Sequence, residues 1–164
     1  ELLKHNGHPQ AITAVALDLS KAYQKGAREE LGNAQLVFDP FHVTALVGAA
    51  VDEVRRREAA SSPELRASLK HTLYVWRKNP ENLTEKEQGR LDELDLKHLA
   101  TGQAYLVRLE LRDIYQRTVR PDKARYRLTS WLGWVRGKCR RFGDALAPLA
   151  KAADLLSAAA SPAP

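Results

Sequence analysis

Two acids follow two short apolar runs near the start of the chain. The first run covers residues 12–18 and ends in Asp18, and the second covers residues 35–38 and is followed by Asp39. Both runs predict short strands, the first of them buried. An acid just past the carboxyl end of a parallel strand lies where open α/β sheets bind ligands. Asp18 is therefore the first candidate for chemistry; the alternative is that it only caps the next helix.

Asp39 and His42 form a second candidate group. Asp39 ends the second predicted strand, which places it at the same sheet edge as Asp18. Pro40 restricts Asp39 to extended geometry and is a favourable first helical residue, so His42 falls in the first turn of a helix. Asp39 and His42 are accessory candidates, as metal ligands or DNA contacts. The alternative is a hydrogen-bonded pair that only fixes the turn.

The elements that must position these residues form two regions. Ser20 is the predicted N-cap of a helix between the two strands, so residues 1–42 are predicted to form a βαβ unit with parallel strands. Beyond it, apolar residues recur at helical spacing. We therefore expect an α/β region followed by an all-α region over residues 43–156 and a disordered tail over residues 157–164.

Caps and breakers divide the helical region. A Thr84–Glu87 capping box begins one helix. Inside the helix after it, Ala104, Val107, Leu111 and Ile114 are expected to face inward. The first expected helix starts at Val43. The later ones are expected from Pro63 to about Trp76, from the capping box to about His98, from Gly102 to Tyr115 and from Pro121 to Phe142.

The net charge of +6 is concentrated near the C-terminus. Residues 122–151 hold eight basic and two acidic side chains, which accounts for the whole excess. A polyanion is therefore attracted to this segment, and the alternative is a solvated basic helix face. Trp134 lies off the apolar stripe and is a candidate for stacking on bases, whereas Trp131 is expected in the core. The DNA-binding candidates are Trp134, Arg136, Lys138, Arg140 and Arg141.

Composition excludes several classes of protein. Cys139 is the only cysteine, so the chain holds no internal disulfide and no thiolate metal cage. No apolar run approaches the roughly 20 residues of a membrane span, and no signal peptide is visible. We expect a cytoplasmic protein. The chain contains no methionine and begins at Glu1, so we also expect it to be part of a longer protein.

Several blocks of the chain resemble one family of proteins. Residues 14–23 (AVALDLSKAY) and residues 33–43 (NAQLVFDPFHV) are similar to blocks of the ISL3 branch of bacterial insertion-sequence DDE transposases. Residues 77–84 (RKNPENLT) resemble a segment of that family's helical insertion. Residues 131–135 (WLGWV) and residues 149–153 (LAKAA) resemble the last part of the insertion. The blocks keep their order along nearly the whole chain.

The resemblance implies a partial RNase H-like core followed by a large α-helical insertion. It implies that Asp18 is the second acid of the DDE triad and a ligand shared by two divalent metals, Mg²⁺ or Mn²⁺, in the intact parent protein. The family's first aspartate and its glutamate then lie outside this chain, before Glu1 and after Pro164. We therefore expect the fragment to bind no metal by itself and to be inactive alone.

For the parent protein, the resemblance implies DNA transposition by metal-dependent cleavage and strand transfer. Its partners are then the transposon ends and target DNA, with a homo-oligomer acting at the nucleoid and no membrane involved. Two alternatives stay open. One is a non-catalytic helical remnant that binds DNA or a partner protein, and the other is a decayed fragment with no function. Both missing acids in the flanking sequence, one upstream and one downstream, would favour the enzyme over these alternatives.

Overall fold

The computed structural model describes residues 8–18, 20–118 and 120–160. The chain divides into two compact units, Glu1–Val43 and Thr44–Pro164. The first is a small α/β unit and the second is helical, so the described part of the chain is mostly α with one two-stranded parallel sheet.

The first unit is built on the two strands that the sequence predicts. A 3-10 turn at Pro9–Ala11 leads into β1 (Ala14–Leu17), followed by α1 (Lys21–Glu30) and β2 (Gln35–Phe38). β1 and β2 pair in parallel, with a register from Ala14↔Gln35 to Leu17↔Phe38. The expectation that the first strand is buried is wrong. Its side chains alternate between exposed and half-buried, because α1 packs beside a sheet of only two strands.

The second unit contains the remaining helices. The earliest of them already begins within the last residues of the α/β unit. They are α2 (Pro40–Ser61), α3 (Pro63–Leu69), α4 (Leu73–Arg77), α5 (Glu85–Asp92), α6 (Ala100–Arg117), α7 (Pro121–Phe142) and α8 (Ala147–Ala160), with 3-10 turns at Pro80–Asn82 and Gly143–Leu146. α6 packs on α7, and α7 packs on α8.

The core of the second unit consists of apolar stripes at helical spacing. The expected stripe of α6 is confirmed, since Ala104, Val107, Leu111 and Ile114 are all buried. Trp131 of α7 is buried as expected, and its indole N–H donates to the Val107 carbonyl at 2.9 Å. Burial of these apolar side chains supplies most of the stability of such a helical unit.

The N-terminus of α6 is capped by a side chain from another helix. Its own N-cap residue, Leu99, has no side chain that can accept a hydrogen bond. The Glu58 carboxylate of α2 instead accepts from the Ala100 and Thr101 amides, at 2.7 and 2.8 Å, and from the Thr101 hydroxyl at 2.6 Å. A carboxylate here satisfies orphan N–H groups and interacts favourably with the helix dipole.

The helix expected from Pro63 to about Trp76 is broken into α3 and α4. His71 adopts a φ of 60°, which interrupts the helix. The Thr72 hydroxyl then donates to the Leu69 carbonyl at 2.7 Å and accepts from the Trp76 indole N–H at 2.9 Å. These buried bonds satisfy polar groups at the break and stabilise it.

The helix expected to reach about His98 ends at Asp92. The Asp95 carboxylate accepts from the Lys97 amide at 3.1 Å and the His98 amide at 3.3 Å, which fixes a turn in place of another helical turn. This turn brings the Leu96 backbone against Gly102, where an added Cβ would lie 2.6 Å from the Leu96 Cα. The absence of a side chain at Gly102 therefore permits the close approach.

The tail expected over residues 157–164 is shorter than predicted. α8 continues to Ala160, so the first four residues of that segment are helical. Alanine-rich sequence favours helix, which accounts for the difference. Residues 161–164 lie outside the described residues.

Candidate functional site

Asp18 and Asp39 lie at one edge of the parallel sheet. Leu17 and Phe38 form the last pair of the β1–β2 register, and each aspartate follows its strand by one residue. The Asp39 amide also donates to the Leu17 carbonyl at 3.1 Å, which extends the pairing to this edge. Both acids therefore stand at the carboxyl end of the strands, as the sequence predicts.

Each of these acids also accepts a hydrogen bond from the amide two residues later, next to the following helix. The Asp18 Oδ1 accepts from the Ser20 amide at 2.8 Å, and the Asp39 Oδ1 accepts from the Phe41 amide at 2.8 Å. Ser20 is the N-cap residue of α1, as the sequence predicts, but its side chain makes no capping hydrogen bond. Short acidic side chains favour this local turn. The turn bond uses one oxygen of each carboxylate.

His42 lies near Asp39 in the first turn of α2, as expected. Its Nε2 is 3.8 Å from the Asp39 Oδ2, which is an ion-pair distance and too long for a hydrogen bond. Both side chains are about half exposed, and the Phe41 ring meets the His42 ring edge-on at 5.8 Å between centroids. The pair thus remains accessible at the sheet edge.

A complete metal site is not formed by the part of the chain that the structure describes. Within residues 8–18, 20–118 and 120–160, no group of three or more histidine, cysteine, aspartate or glutamate side chains is placed to hold a metal ion. Carboxylate oxygens such as those of Asp18 and Asp39 suit Mg²⁺ and Mn²⁺. The sheet edge has suitable ligand chemistry but too few ligands for two dications.

The DNA-binding candidates of α7 lie on two faces of that helix. At about 100° per residue, Arg136 and Arg140 share one face with Arg125. Trp134 points away from Arg136 by about 160°, and it shares the other face with Lys138 and Arg141. The sequence therefore identified basic residues of one helix that do not form a single surface.

Some of these basic side chains contact neighbouring side chains. Arg136 is 3.6 Å from Asp154 of α8, in an exposed ion pair. The Lys138 ammonium donates to the Gln103 side chain of α6 and lies 5.1 Å from the Trp134 ring centroid. The Arg141 guanidinium lies 5.7 Å from the Phe142 ring centroid. The cations nevertheless stay accessible: Arg136, Arg140 and Arg141 are exposed, and Lys138 is half-buried.

The three tryptophans separate by burial. Trp76 and Trp131 are 1% and 3% exposed, whereas Trp134 is 38% exposed. Sequence reasoning did not select Tyr126, which is 74% exposed on the same face of α7 as Trp134. The spacing of eight residues, or about two helical turns, is the sequence signal that could have identified it.

Residues 77–84, which resemble a segment of the family's helical insertion, are fastened to α5 and α6. The Lys78 ammonium donates to both oxygens of Glu87 at 2.7 Å. The Arg108 guanidinium donates to the Arg77 carbonyl at 2.7 Å, to the Lys78 carbonyl at 3.2 Å and to the Asn79 side chain at 2.9 Å. Glu81 pairs with Arg112. These polar side chains therefore hold the segment in place.

A family model described as a transposase matches residues 1–160, nearly the whole chain. The chain belongs to the ISL3 family of insertion-sequence transposases. The resemblance of its blocks to that family is thereby confirmed. No helix in the described part of this ISL3-family chain is long and apolar enough to cross a bilayer.

Curated relatives carry the same identity. The ISL3-family chain is 33% identical over 131 residues to the transposase for insertion sequence element IS1001 of Bordetella parapertussis, covering 76% of this chain and 32% of that protein. It is 28% identical over 153 residues to the transposase for insertion sequence element IS1557 of Mycobacterium tuberculosis, covering 79% and 34%. The chain thus spans about a third of the length of these relatives. No solved structure matches it significantly.

Proposed function

We propose that this chain is part of a transposase that cleaves and joins DNA strands with divalent metals, and that Asp18 is one of its catalytic metal ligands. The observation that carries the proposal is the position of Asp18 in an ISL3-family chain: it follows β1 at the edge where β1 and β2 end together. Ligands of open α/β sheets bind at such an edge. Residues 1–42 are then a partial RNase H-like core and residues 43–156 its helical insertion.

The metal requirement explains why Asp18 acts with other acids. Two divalent metals, when bound, activate the attacking oxygen and stabilise the leaving oxygen of a displacement at phosphorus. One aspartate cannot hold two dications, and the described residues offer no group of three ligands. We assign the remaining acids to parts of the transposase outside these 164 residues. Asp18 would be a shared ligand, with its backbone turn to Ser20 fixing the carboxylate.

Asp39 and His42 are proposed as accessory residues at the same edge. Their ion-pair distance of 3.8 Å leaves Asp39 able to reorient toward a metal-bound water and His42 toward a DNA phosphate. The Asp39 turn bond to Phe41 holds this part of the chain at the start of α2.

DNA is proposed as the partner of α7. Arg136 and Arg140 would contact phosphates from one face, together with Arg125, and Lys138, Arg141 and Trp134 would contribute from the other. Arginine and lysine contacts to phosphate position a protein on DNA without reading sequence. The exposed Trp134 adds an aromatic surface on which an unpaired base can stack.

The experiment for this proposal is an Asp18→Asn substitution in the full-length transposase. We expect strand transfer in Mg²⁺ or Mn²⁺ to fall below detection, because the amide is a poor ligand for two metals, while affinity for transposon-end DNA stays nearly unchanged. Asp92→Asn, an exposed acid on α5, is the matched control and should leave activity intact. Strand transfer that survives in Asp18→Asn would refute the assignment.

The 164-residue chain alone provides a second arm of this experiment. We expect it neither to cleave nor to join DNA in either metal. Metal-dependent nicking by the isolated chain that disappears in Asp18→Asn would mean that a complete ligand set lies within it.

A non-catalytic DNA-binding or partner-binding remnant is the second candidate function. The observation that favours it is that the described residues hold no three-ligand group, whereas α7 exposes several cations. A gene that encodes both further acids around this segment, and whose product is active, would exclude it.

A further inference from the structure

A cleft of about 320 Å³ lies between α6 and α7. Its lining consists of one residue of α6 and five of α7: Glu110, Tyr126, Arg127, Ser130, Trp131 and Trp134. The volume falls within the range of small-ligand sites. Apart from a stacking surface on Trp134, the proposed function leaves this cleft without a role.

The walls of the cleft are aromatic. Tyr126, Ser130 and Trp134 recur every four residues and therefore share one face of α7. Trp131 is buried at the cleft, while Tyr126 and Trp134 are accessible at its rim. Lys138, one turn after Trp134, packs over its ring. Ser130, one turn before Trp134, lines the cleft and Lys138 does not, so a ligand there would not have to displace Lys138.

The polar lining provides a hydrogen-bond acceptor. Glu110 is the only carboxylate in the lining, and it forms an ion pair with Arg127 at 3.6 Å, which is beyond hydrogen-bond distance. The hydrogen bonds of Arg127 go to Asp113 at 2.7 Å and to the Thr118 hydroxyl at 2.8 Å. Arg127 is therefore a fixed part of the wall, whereas the half-exposed Glu110 can accept hydrogen bonds from a ligand.

We propose that this cleft binds an unpaired guanine base of DNA. Aromatic side chains stack on any base, and stacking alone gives little preference. Guanine presents two adjacent N–H donors on one edge, its ring N1–H and its exocyclic N2–H, which match the two oxygens of a carboxylate. Adenine and cytosine place a ring acceptor beside the amino group, and thymine flanks its single N–H with carbonyl oxygens. Glu110 therefore selects guanine.

This inference rests on the proposed function, because it takes DNA as the partner. It separates two kinds of contact in the helical unit. The exposed arginines of α7 contact phosphates, which carry no sequence information, and the cleft contacts a base edge, which does. A paired base cannot enter the cleft with its Watson–Crick edge free, so the ligand is single-stranded or extruded from a duplex.

The test uses labelled nine-residue thymine oligonucleotides whose central base is guanine, inosine, adenine or cytosine. Binding of the 164-residue chain is measured by fluorescence anisotropy. Inosine lacks only the N2 amino group, and we expect guanine to bind at least about fivefold more tightly than inosine. Glu110→Gln should lose the guanine preference, because its amide presents one acceptor and one donor and so matches the edges of adenine and cytosine instead. Trp134→Ala should weaken binding of all four oligonucleotides by roughly five- to a hundredfold, and Trp134→Phe should retain most of the affinity.

The same anisotropy measurement on a control variant tests whether the guanine preference depends on Glu110. Glu85→Gln, an exposed acid on α5, should keep the guanine preference. Equal binding of guanine and inosine by the wild type, or a guanine preference that survives in Glu110→Gln, overturns the inference. The inference also fails if base identity has no effect and a lysine- or arginine-rich peptide binds the chain in a way that depends on Glu110 and Trp134. If duplex binding through Arg136 and Arg140 persists in these cases, the proposed function stands and only the cleft assignment fails.

Discussion

Glu87 connects the start of α5 to a lysine nine residues earlier in the chain. Its two carboxylate oxygens accept from the Lys78 ammonium at 2.7 Å, and one also accepts from the Thr84 amide at 2.9 Å. The Lys78 hydrogen bond first, and then the Thr84 backbone hydrogen bond, lower the pKa of Glu87 from 4.5 to about 2. Both bonds are stronger to the ionised carboxylate than to the protonated carboxyl, so they couple the local structure to pH.

This coupling predicts how stability changes in acid. Because the pKa of Glu87 is depressed in the folded protein, its stabilising contribution is present above pH 4.5 and is lost as pH falls from 4.5 to about 2. We expect Glu87→Gln to lower the urea midpoint at pH 7, and the difference from wild type to shrink toward pH 2. Glu85→Gln makes the same change in the same helical turn and is the control. A difference that stays constant with pH would contradict this account.

Individual residues also show what sequence could and could not predict. The Thr84–Glu87 capping box is a local pattern, and the structure confirms it. The contact of Glu87 with Lys78 depends on how the chain folds back and has no local pattern. Likewise, the two short apolar runs and the aspartate positions predicted the sheet edge, but the distance from Asp39 to His42 could not be obtained from sequence.

At the scale of elements, α4 depends on α6 for its stability. α4 has five residues, too few for a helix to persist alone in water. Arg108 of α6 donates to the carbonyls of Arg77 and Lys78 at the end of α4 and to the Asn79 side chain. Its guanidinium thus satisfies C-terminal carbonyls that the helix leaves unpaired. The Arg108 guanidinium is half-buried, and this burial lowers its pKa.

Removal of this guanidinium should destabilise the helical unit. We expect Arg108→Ala to cost about 1.5–3 kcal/mol of unfolding free energy, since its charge-assisted hydrogen bonds disappear and the Arg77 carbonyl loses this donor, while the Lys78 carbonyl keeps the Tyr105 hydroxyl. Arg108→Lys should recover little, because an ammonium cannot reproduce the planar fork. Arg117→Ala removes an exposed arginine that pairs with Asp113 on the same helix and should cost less than about 1 kcal/mol. Similar losses for Arg108→Ala and Arg117→Ala in urea denaturation would rule out the clamping role.

The breaks between elements were harder to predict than the elements themselves. The inward stripe of α6 follows from periodicity, because apolar residues recur at its core positions. The break at His71 depends instead on buried bonds of Thr72 to Leu69 and Trp76. The turn before α6 depends on the approach of Leu96 to Gly102. Tertiary contacts override local helix propensity in both places, and a single sequence does not show them.

At the scale of the whole molecule, the folded structure pairs some cations of the basic segment with acids from other helices. Residues 122–151 account for the net +6. The structure pairs Arg127 with Asp113 at 2.7 Å and places Arg136 3.6 Å from Asp154. These contacts compensate part of the excess within the folded helical unit. The sequence therefore predicted the basic segment correctly but could not show which cations remain available to a polyanion.

This distribution makes a prediction for DNA binding by the whole chain. Arg136→Ala/Arg140→Ala should weaken binding to specific and random duplexes alike, and should reduce the slope of log affinity against log salt by about 0.9 for each phosphate that the variant no longer neutralises. The control Arg56→Ala/Arg57→Ala removes the same charge from exposed positions on α2 and should change the slope less. Both double variants must melt near wild type, because arginine stems also cover apolar surface. Equal slopes for both double variants would mean that net charge, and not the α7 face, governs binding. A loss confined to specific duplexes would assign these arginines to base recognition.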